Sequence, residues 1–290
     1  MSASTDDRSV FPALALPRSE NGWRQVGHQL ADVSVAVTKQ LLRVGLALIL
    51  PLLVFGLWWL TAERQWLPEQ ILPAPAFVWE SFGIVWDSGE LLTHVLHSAR
   101  RVGWSLVMGG GGGLLLGLAL GLSATLRAYI LPTFRALTQI PVLGWIPLLI
   151  IFVGIEEALK LWAISLAVLL PVTLTTLDSI TAIPRSLMEV GRVFAFSRRQ
   201  TITRIVLPAT VPGLFSAVRQ GVMQAWLTVI FVELLASSEG LGFFMAYSRS
   251  LGQIDLVIVS MFVIGVIGLG IDAALRLIES RLLGWRRSAY

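Results

Sequence analysis

The stretch VGWSLVMGGGGGLLLGLALGL, Val102 to Leu122, contains no charged residue. A helix over it is about 30 Å long, which is the thickness of a bilayer's hydrocarbon core. The whole chain has the composition that such a segment requires. Of 290 residues, 55% are hydrophobic and only 14% charged, and the mean hydropathy is +0.76, outside the range of soluble globular domains. Working outward, further apolar runs of membrane-spanning length cover Leu46 to Ala62, Ala136 to Ile155, Leu161 to Leu177, Val211 to Ala236 and Leu256 to Ile271. Six transmembrane helices in an all-α polytopic membrane protein are therefore expected. The last run is short for a span and is expected to extend or tilt. The 11 tryptophans suit membrane interfaces, and the absence of cysteine excludes disulfides, thiolate metal ligands and a cysteine nucleophile.

The basic residues set an orientation. With the N-terminus in the cytoplasm, 17 of the 22 lysines and arginines fall in cytoplasmic segments and 5 outside, which is the sense of the positive-inside rule. Their scatter between apolar runs argues against a nucleic-acid surface. The resulting organisation is a cytoplasmic tail with a surface helix over 1–40, a first span over 41–62 and a periplasmic connection over 63–98. A core over 99–281 and a cytoplasmic tail over 282–290 complete the chain. No cleavable signal pattern precedes the first span.

Between two apolar runs of the core lies EVGRVFAFSRRQTITRIVLPATVPG, Glu189 to Gly213, with four arginines, Arg192, Arg198, Arg199 and Arg204. Ser186 stands three residues before Glu189 and Ser197 three before Gln200, two capping-box patterns that predict two helix starts. Pro208 predicts that the second helix stops near Val206 or Leu207. Leu187, Val190, Val193 and Phe194 form an apolar stripe on the first helix. From composition alone, a helix pair lying on lipid headgroups is favoured for this segment over a protein-docking element.

Glu189, Val190, Gly191, three residues, Ala195, nine residues and then Ile205 to Pro208 resembles the EAA loop of ATP-binding-cassette importer permeases. Its family pattern is E-A-A-x3-G-x9-I-x-L-P. Val190 and Gly191 replace the two alanines, and Ala195 replaces the glycine at the turn. Five further segments are similar to the sulfonate, taurine and nitrate branch of that family: ILPAPAFVW (Ile71–Trp79), QIPVLGWIPLLIIFVGIEEALK (Gln139–Lys160), RQG (Arg219–Gly221), VELLASSEGLGFFM (Val232–Met245) and QIDLVIV (Gln253–Val259). The resemblance implies the type I importer permease fold, with residues 184–208 as a cytoplasmic coupling loop. Leu187, Glu189, Val190, Gly191, Arg192, Phe194, Ala195, Leu207 and Pro208 would then meet the ATPase. It also implies the partners: two cytoplasmic ATPase subunits that bind ATP and magnesium, a second copy of the chain, and a periplasmic solute-binding protein. The chain itself has no G-x-x-x-x-G-K-[ST], and its only lysines are Lys39 and Lys160, so no phosphate-cradling loop is encoded in it.

Other features carry two readings each. Gly109, Gly113, Gly117 and Gly121 share one helix face, for packing within the subunit or for a moving or dimer surface. Pro141 and Pro147 flank Trp145 and predict a doubly broken helix, either a kink or the wall of a translocation pathway. Gln139, Arg219, Gln220 and Gln224 could pass a small oxyanion or could serve helix packing. Glu233 is deep in a span and needs a partner; orienting the turn SSEGLG, docking the binding protein and proton relay are its candidate roles. Glu90, His94, His97 and Arg101 lie on one helix face. A solvated amphipathic face is the expectation there, and a metal site lacks a third strong ligand. No catalytic residues are assigned, because no nucleophile–base set or carboxylate pair shares one membrane depth. A small-anion permease, most simply for an aliphatic sulfonate or taurine, is the reading. Nitrate or bicarbonate permeases, a secondary carrier and a lipid-modifying enzyme are its alternatives.

Overall fold

The computed structural model describes residues 45–46 and 48–282. The expected tail and surface helix over 1–40, and the C-terminal tail from 283 on, lie outside these. Two units are distinguished, one ending at Trp66 and one beginning at Leu67. In the first, the described helix α1 is Leu48–Glu63, apolar and shorter than the other spans.

The regular elements described in the second unit are all helices or helical turns. Its elements are α2 (Pro75–Asp87), α3 (Glu90–Ser105), a π-turn (Leu106–Gly110), α4 (Gly111–Leu122), α5 (Ala124–Thr138), a 3₁₀ turn (Val142–Trp145) and α6 (Ile146–Val153). There follow α7 (Glu157–Thr181), α8 (Arg185–Val193), α9 (Arg198–Thr201), a second π-turn (Ile202–Val206), α10 (Leu207–Ala236), α11 (Leu241–Ser250) and α12 (Ile254–Leu282). Four continuous stretches are long and apolar enough to cross a membrane: 90–122, 157–181, 198–236 and 254–282. The bent pair α5 and α6 supplies a fifth candidate. With α1 these are consistent with six.

The expected boundaries shift for identifiable reasons. α3 and α4 are one helix through the π-turn, so the span that begins at Val102 in the sequence begins at Glu90 in the structure. The run from Ala136 to Ile155 is not one helix: the chain turns by 93° between Thr138 and Val142. Pro141 caps the 3₁₀ turn there, whereas Pro147 sits in the first turn of α6, where a missing N–H costs nothing. One corner replaces the expected double break. The final helix does extend, over 29 residues to Leu282.

α7 is the centre of the unit. Leu159, Ala163, Ile164, Val168, Val172 and Leu177 on it are almost fully enclosed, mainly by α4 and α10. The glycine face of α4 makes this possible. A β-carbon at Gly113 would lie 2.9 Å from the Leu169 carbonyl oxygen, and one at Gly117 would lie 2.6 Å from Thr176 Cβ. Real side chains do not fit at those separations, so the backbones of α4 and α7 touch only because these positions are glycine. Gly121 meets Ile180 in the same way. The glycine stripe is thus spent on packing within the chain.

Candidate functional site

α8 begins at Arg185 with Pro184 at its cap position in extended backbone, and no side chain caps it. Ser186 is already inside the helix, so the expected capping box with Glu189 does not form. The second box does. The Ser197 hydroxyl accepts from the Gln200 N–H at 3.3 Å, and the Ser197 N–H donates to Gln200 Oε1 at 2.8 Å.

Between the two helices Ala195 has φ +48°. Its N–H donates to the Arg192 carbonyl at 3.0 Å, and the Phe196 N–H donates to the Gly191 carbonyl at 2.8 Å. That pair of bonds is a Schellman cap, whose left-handed position is normally glycine. The turn therefore falls at Ala195 itself, where the family pattern has its glycine, and the alanine bears a left-handed strain of roughly 1–2 kcal/mol. Phe194 and Phe196 face each other with ring centroids 6.0 Å apart, and the Arg204 guanidinium lies over the Phe196 ring at 5.6 Å. Gly191 is buried against Ile205. These contacts fix α8 against the following helix.

Pro208 does not end that helix. α9, the π-turn and α10 run as one helix over 39 residues, Arg198 to Ala236. In the π-turn the Leu207 N–H bonds to the Ile202 carbonyl, one residue further back than in an α-helix. Such a turn takes up a proline by shifting the register of carbonyls that its ring would otherwise strike. Leu207 and Pro208 consequently open α10 instead of closing α9.

Among the described residues, none covers the outward side of α8. Leu187, Val190, Val193 and Phe194 are exposed, Val193 to 82%. Glu189 is exposed and makes no hydrogen bond or ion pair within the described residues. Leu187, Val190, Phe196, Arg204 and Pro208 also line a groove of about 870 Å³ that reaches Gly213. A short helix, fixed at its C-terminal end, presents an apolar stripe with Glu189, unpaired among the described residues, and Arg192 beside it.

The opposite end of α10 carries a second polar centre. Glu233 is 1% exposed. Its carboxylate accepts from Arg101 Nη1 at 2.7 Å, from the Ser98 hydroxyl at 2.8 Å and from the Gly242 N–H at 3.0 Å. Arg101, 2% exposed, also donates to the Glu239 carbonyl at 2.7 Å and grips the Glu157 carboxylate with Nε at 2.6 Å and Nη2 at 3.0 Å. Lys160 Nζ reaches Glu157 at 2.9 Å. Of the face of Glu90, His94, His97 and Arg101, Arg101 and His94 are packed, His97 is half-buried and Glu90 stays exposed, so the solvated face that the sequence predicts holds only at its start. His94 Nδ1 accepts from the Gly240 N–H at 3.1 Å and its ring stacks on Phe244, while His97 pairs with Glu239 at 2.9 Å. Sequence reasoning found that Glu233 needs a partner but missed Arg101, which lies 132 positions away.

The remaining candidates are dispersed. Gln139 closes α5 at the corner and bonds only to Arg135 and neighbouring backbone. Trp145 Nε1 is buried without a hydrogen-bond partner among the described residues. Arg219 is held by Asp272 at 2.7 Å and Glu279 at 3.2 Å on α12. The Gln220 side chain accepts from Thr175 at 2.6 Å, and Gln224 donates to Thr228 at 3.4 Å. No hydrogen bond within the described residues joins Gln139 or Trp145 to the set on α10.

Residues 111–284 match the model of the family described as binding-protein-dependent transport system inner membrane component. The chain is 31% identical over 241 residues to the putative aliphatic sulfonates transport permease protein SsuC of Bacillus subtilis, covering 83% of this chain and 87% of the relative. It is 32% identical over 253 residues to the Escherichia coli protein of the same name, with coverages of 87% and 96%. The taurine transport system permease protein TauC of Escherichia coli is 28% identical over 233 residues, with coverages of 79% and 85%.

Proposed function

We propose that this chain, which belongs to the binding-protein-dependent transport system inner membrane components, carries a small sulfonate inward across the membrane by alternating access driven by a separate ATPase. Within the family it is an ABC transporter permease of the sulfonate, taurine and nitrate branch. It is a multi-pass membrane subunit, and ATP hydrolysis falls to another subunit. Two copies of the chain, two ATPase subunits holding ATP and magnesium, and an external solute-binding protein form the proposed assembly. Both termini and the loop 184–208 face the cytoplasm in it, in keeping with the arginine distribution.

The observation that carries the coupling role is α8. A lipid-surface helix would need its apolar stripe and its basic residues, but it would not need an unpaired Glu189 on the exposed side or a helix clamped through Ala195, Phe196 and Ser197. A partner that supplies a basic or hydroxyl group for Glu189 and an apolar groove for Leu187, Val190, Val193 and Phe194 accounts for all of these at once. The load on α8 then passes through Leu207 and Pro208 into α10 without a hinge. For the substrate path we propose the corner at Gln139, Pro141 and Trp145 together with Arg219, Gln220, Gln224 and the inward approach to Glu233. The partnerless Trp145 Nε1 supports it, since a buried donor is costly unless a solute, water or second subunit meets it.

The test is reconstitution in proteoliposomes with the cognate ATPase and binding protein, following ATP-dependent uptake of ethanesulfonate and of taurine. Glu189→Lys is expected to lower uptake at least tenfold while the permease still inserts and its detergent-solubilised melting is unchanged. Normal uptake by that variant would refute the coupling assignment. Competition by nitrate and bicarbonate in the same vesicles decides the substrate class, and failure of both sulfonates to be carried removes that part of the proposal.

A further inference from the structure

α10 carries a functional load at each end, and the structure shows how the far end is anchored. Two main-chain groups of the turn after it, Ser237 to Gly240, go to α3, and the first two N–H groups of the following α11 go to Ser98 and Glu233. Arg101 takes the Glu239 carbonyl, His94 takes the Gly240 N–H, Ser98 takes the Leu241 N–H at 2.9 Å, and Glu233 takes the Gly242 N–H. Gly240 has φ +106°, and a β-carbon there would run into the Glu233 carboxylate. Arg101 is the shared member: one buried guanidinium reaches α7 through Glu157, α10 through Glu233 and the turn through Glu239. A surface turn that is merely a connection has no need of this number of bonds from a buried charge cluster. Within the same turn, the Ser238 and Glu239 side chains remain exposed.

We propose that Arg101 is a positioning residue that locks the Ser237–Gly240 turn to α10, so that a push on this outer turn by the external binding protein travels down α10 to the coupling segment. The inference rests on the permease reading above and adds to it the residue that makes the outer surface and the coupling loop one body. From Val206 to Glu233 the unbroken helix spans about 40 Å, close to the full membrane. A lever of that length transmits force only if its loaded end cannot slip. The guanidinium, with its fixed fork of donors, makes four bonds here, whereas an ammonium has three donors on a single atom and cannot grip Glu157 with two of them while holding Glu233 and the Glu239 carbonyl.

The prediction separates positioning from folding. In the reconstituted complex, Arg101→Lys is expected to leave ATP hydrolysis without binding protein within twofold of wild type. The stimulation given by binding protein loaded with ethanesulfonate should fall at least tenfold. Gly240→Ala, which displaces the turn while keeping Arg101, is expected to lose the stimulation as well. Stimulation retained within twofold in both variants overturns the inference, and so does a parallel fall of basal and stimulated hydrolysis in Arg101→Lys. If Arg101→Lys does not accumulate, Ser98→Ala carries the test, with at least a threefold loss of stimulation expected and an unchanged value overturning the inference. A wild-type complex that assembles with the ATPase but is not stimulated by any loaded binding protein overturns the permease reading and the inference with it.

Discussion

Ala195 shows how one residue can sit where the fold wants another. Its φ of +48° completes the Schellman cap of α8, and an L-residue pays roughly 1–2 kcal/mol for that conformation, part of which glycine gives back through the entropy of its unfolded chain. Ala195→Gly should therefore be neutral to mildly stabilising, by up to about 1 kcal/mol, with uptake preserved. Ala195→Val adds a β-branched side chain at positive φ and should loosen the cap by more than that. Melting of the purified permease–ATPase complex orders the three proteins: a valine variant as stable as the wild type would show that the cap is unimportant. The spacing from Glu189 to Pro208 brought the turn to Ala195 or to Phe196 and Ser197, and the φ of Ala195 decides between them. The absent first capping box was not legible in the sequence, because Pro184 takes the cap position from Ser186 by backbone conformation alone. Arg101 was equally invisible, since the ion cluster joins residues 56 and 132 positions apart.

At the scale of elements, the five consecutive glycines from Gly109 divide by what each one meets. Gly113 is pressed on the α7 backbone at Leu169 and on Val172, whereas Gly111 has open space where a β-carbon would stand. The same substitution should thus have opposite signs two residues apart. Gly113→Ala must push α4 off α7 and is expected to cost about 1–3 kcal/mol, as overpacking does. Gly111→Ala meets nothing and gains up to about 1 kcal/mol of helix propensity. Unfolding in mixed micelles, or the half-life of the solubilised protein at a fixed temperature, would compare them. Equal destabilisation by both would contradict the assignment of α7 as the partner of this face. The glycine period of four was readable from the sequence, but its partner was not, because nothing in α7 marks Ser165, Leu169, Val172, Thr176 and Ile180 as the facing row. The same holds for Pro208. Its helix-breaking power was legible, while the π-turn that absorbs it depends on the geometry of the five residues before it.

Across residues 67–282 the unit must sort its open faces between lipid and water, and polarity decides which is which. Leu269 on α12 is 72% exposed and continues an exposed apolar row with Phe262 and Val266, a face suited to lipid. Gln220 on α10 is also exposed, yet its amide oxygen takes the Thr175 hydroxyl and its amide nitrogen has no partner within the described residues. An unpaired amide in hydrocarbon costs several kcal/mol. The pathway proposed above, or a second copy of the chain, would give this amide a partner on the side where α7 and α10 present Thr175 and Gln220. Since the chain has no cysteine, single cysteines report on this without background. Gln220→Cys in the assembled importer should react with a small membrane-impermeant thiol reagent, and the rate should change when ATP and loaded binding protein drive the cycle. Leu269→Cys should stay unreactive in both conditions. Equal protection of the two cysteines throughout the cycle would place Gln220 away from water and remove α10 from the pathway, whereas reactivity at Gln220 alone would set the substrate path against the same helix that carries the coupling loop.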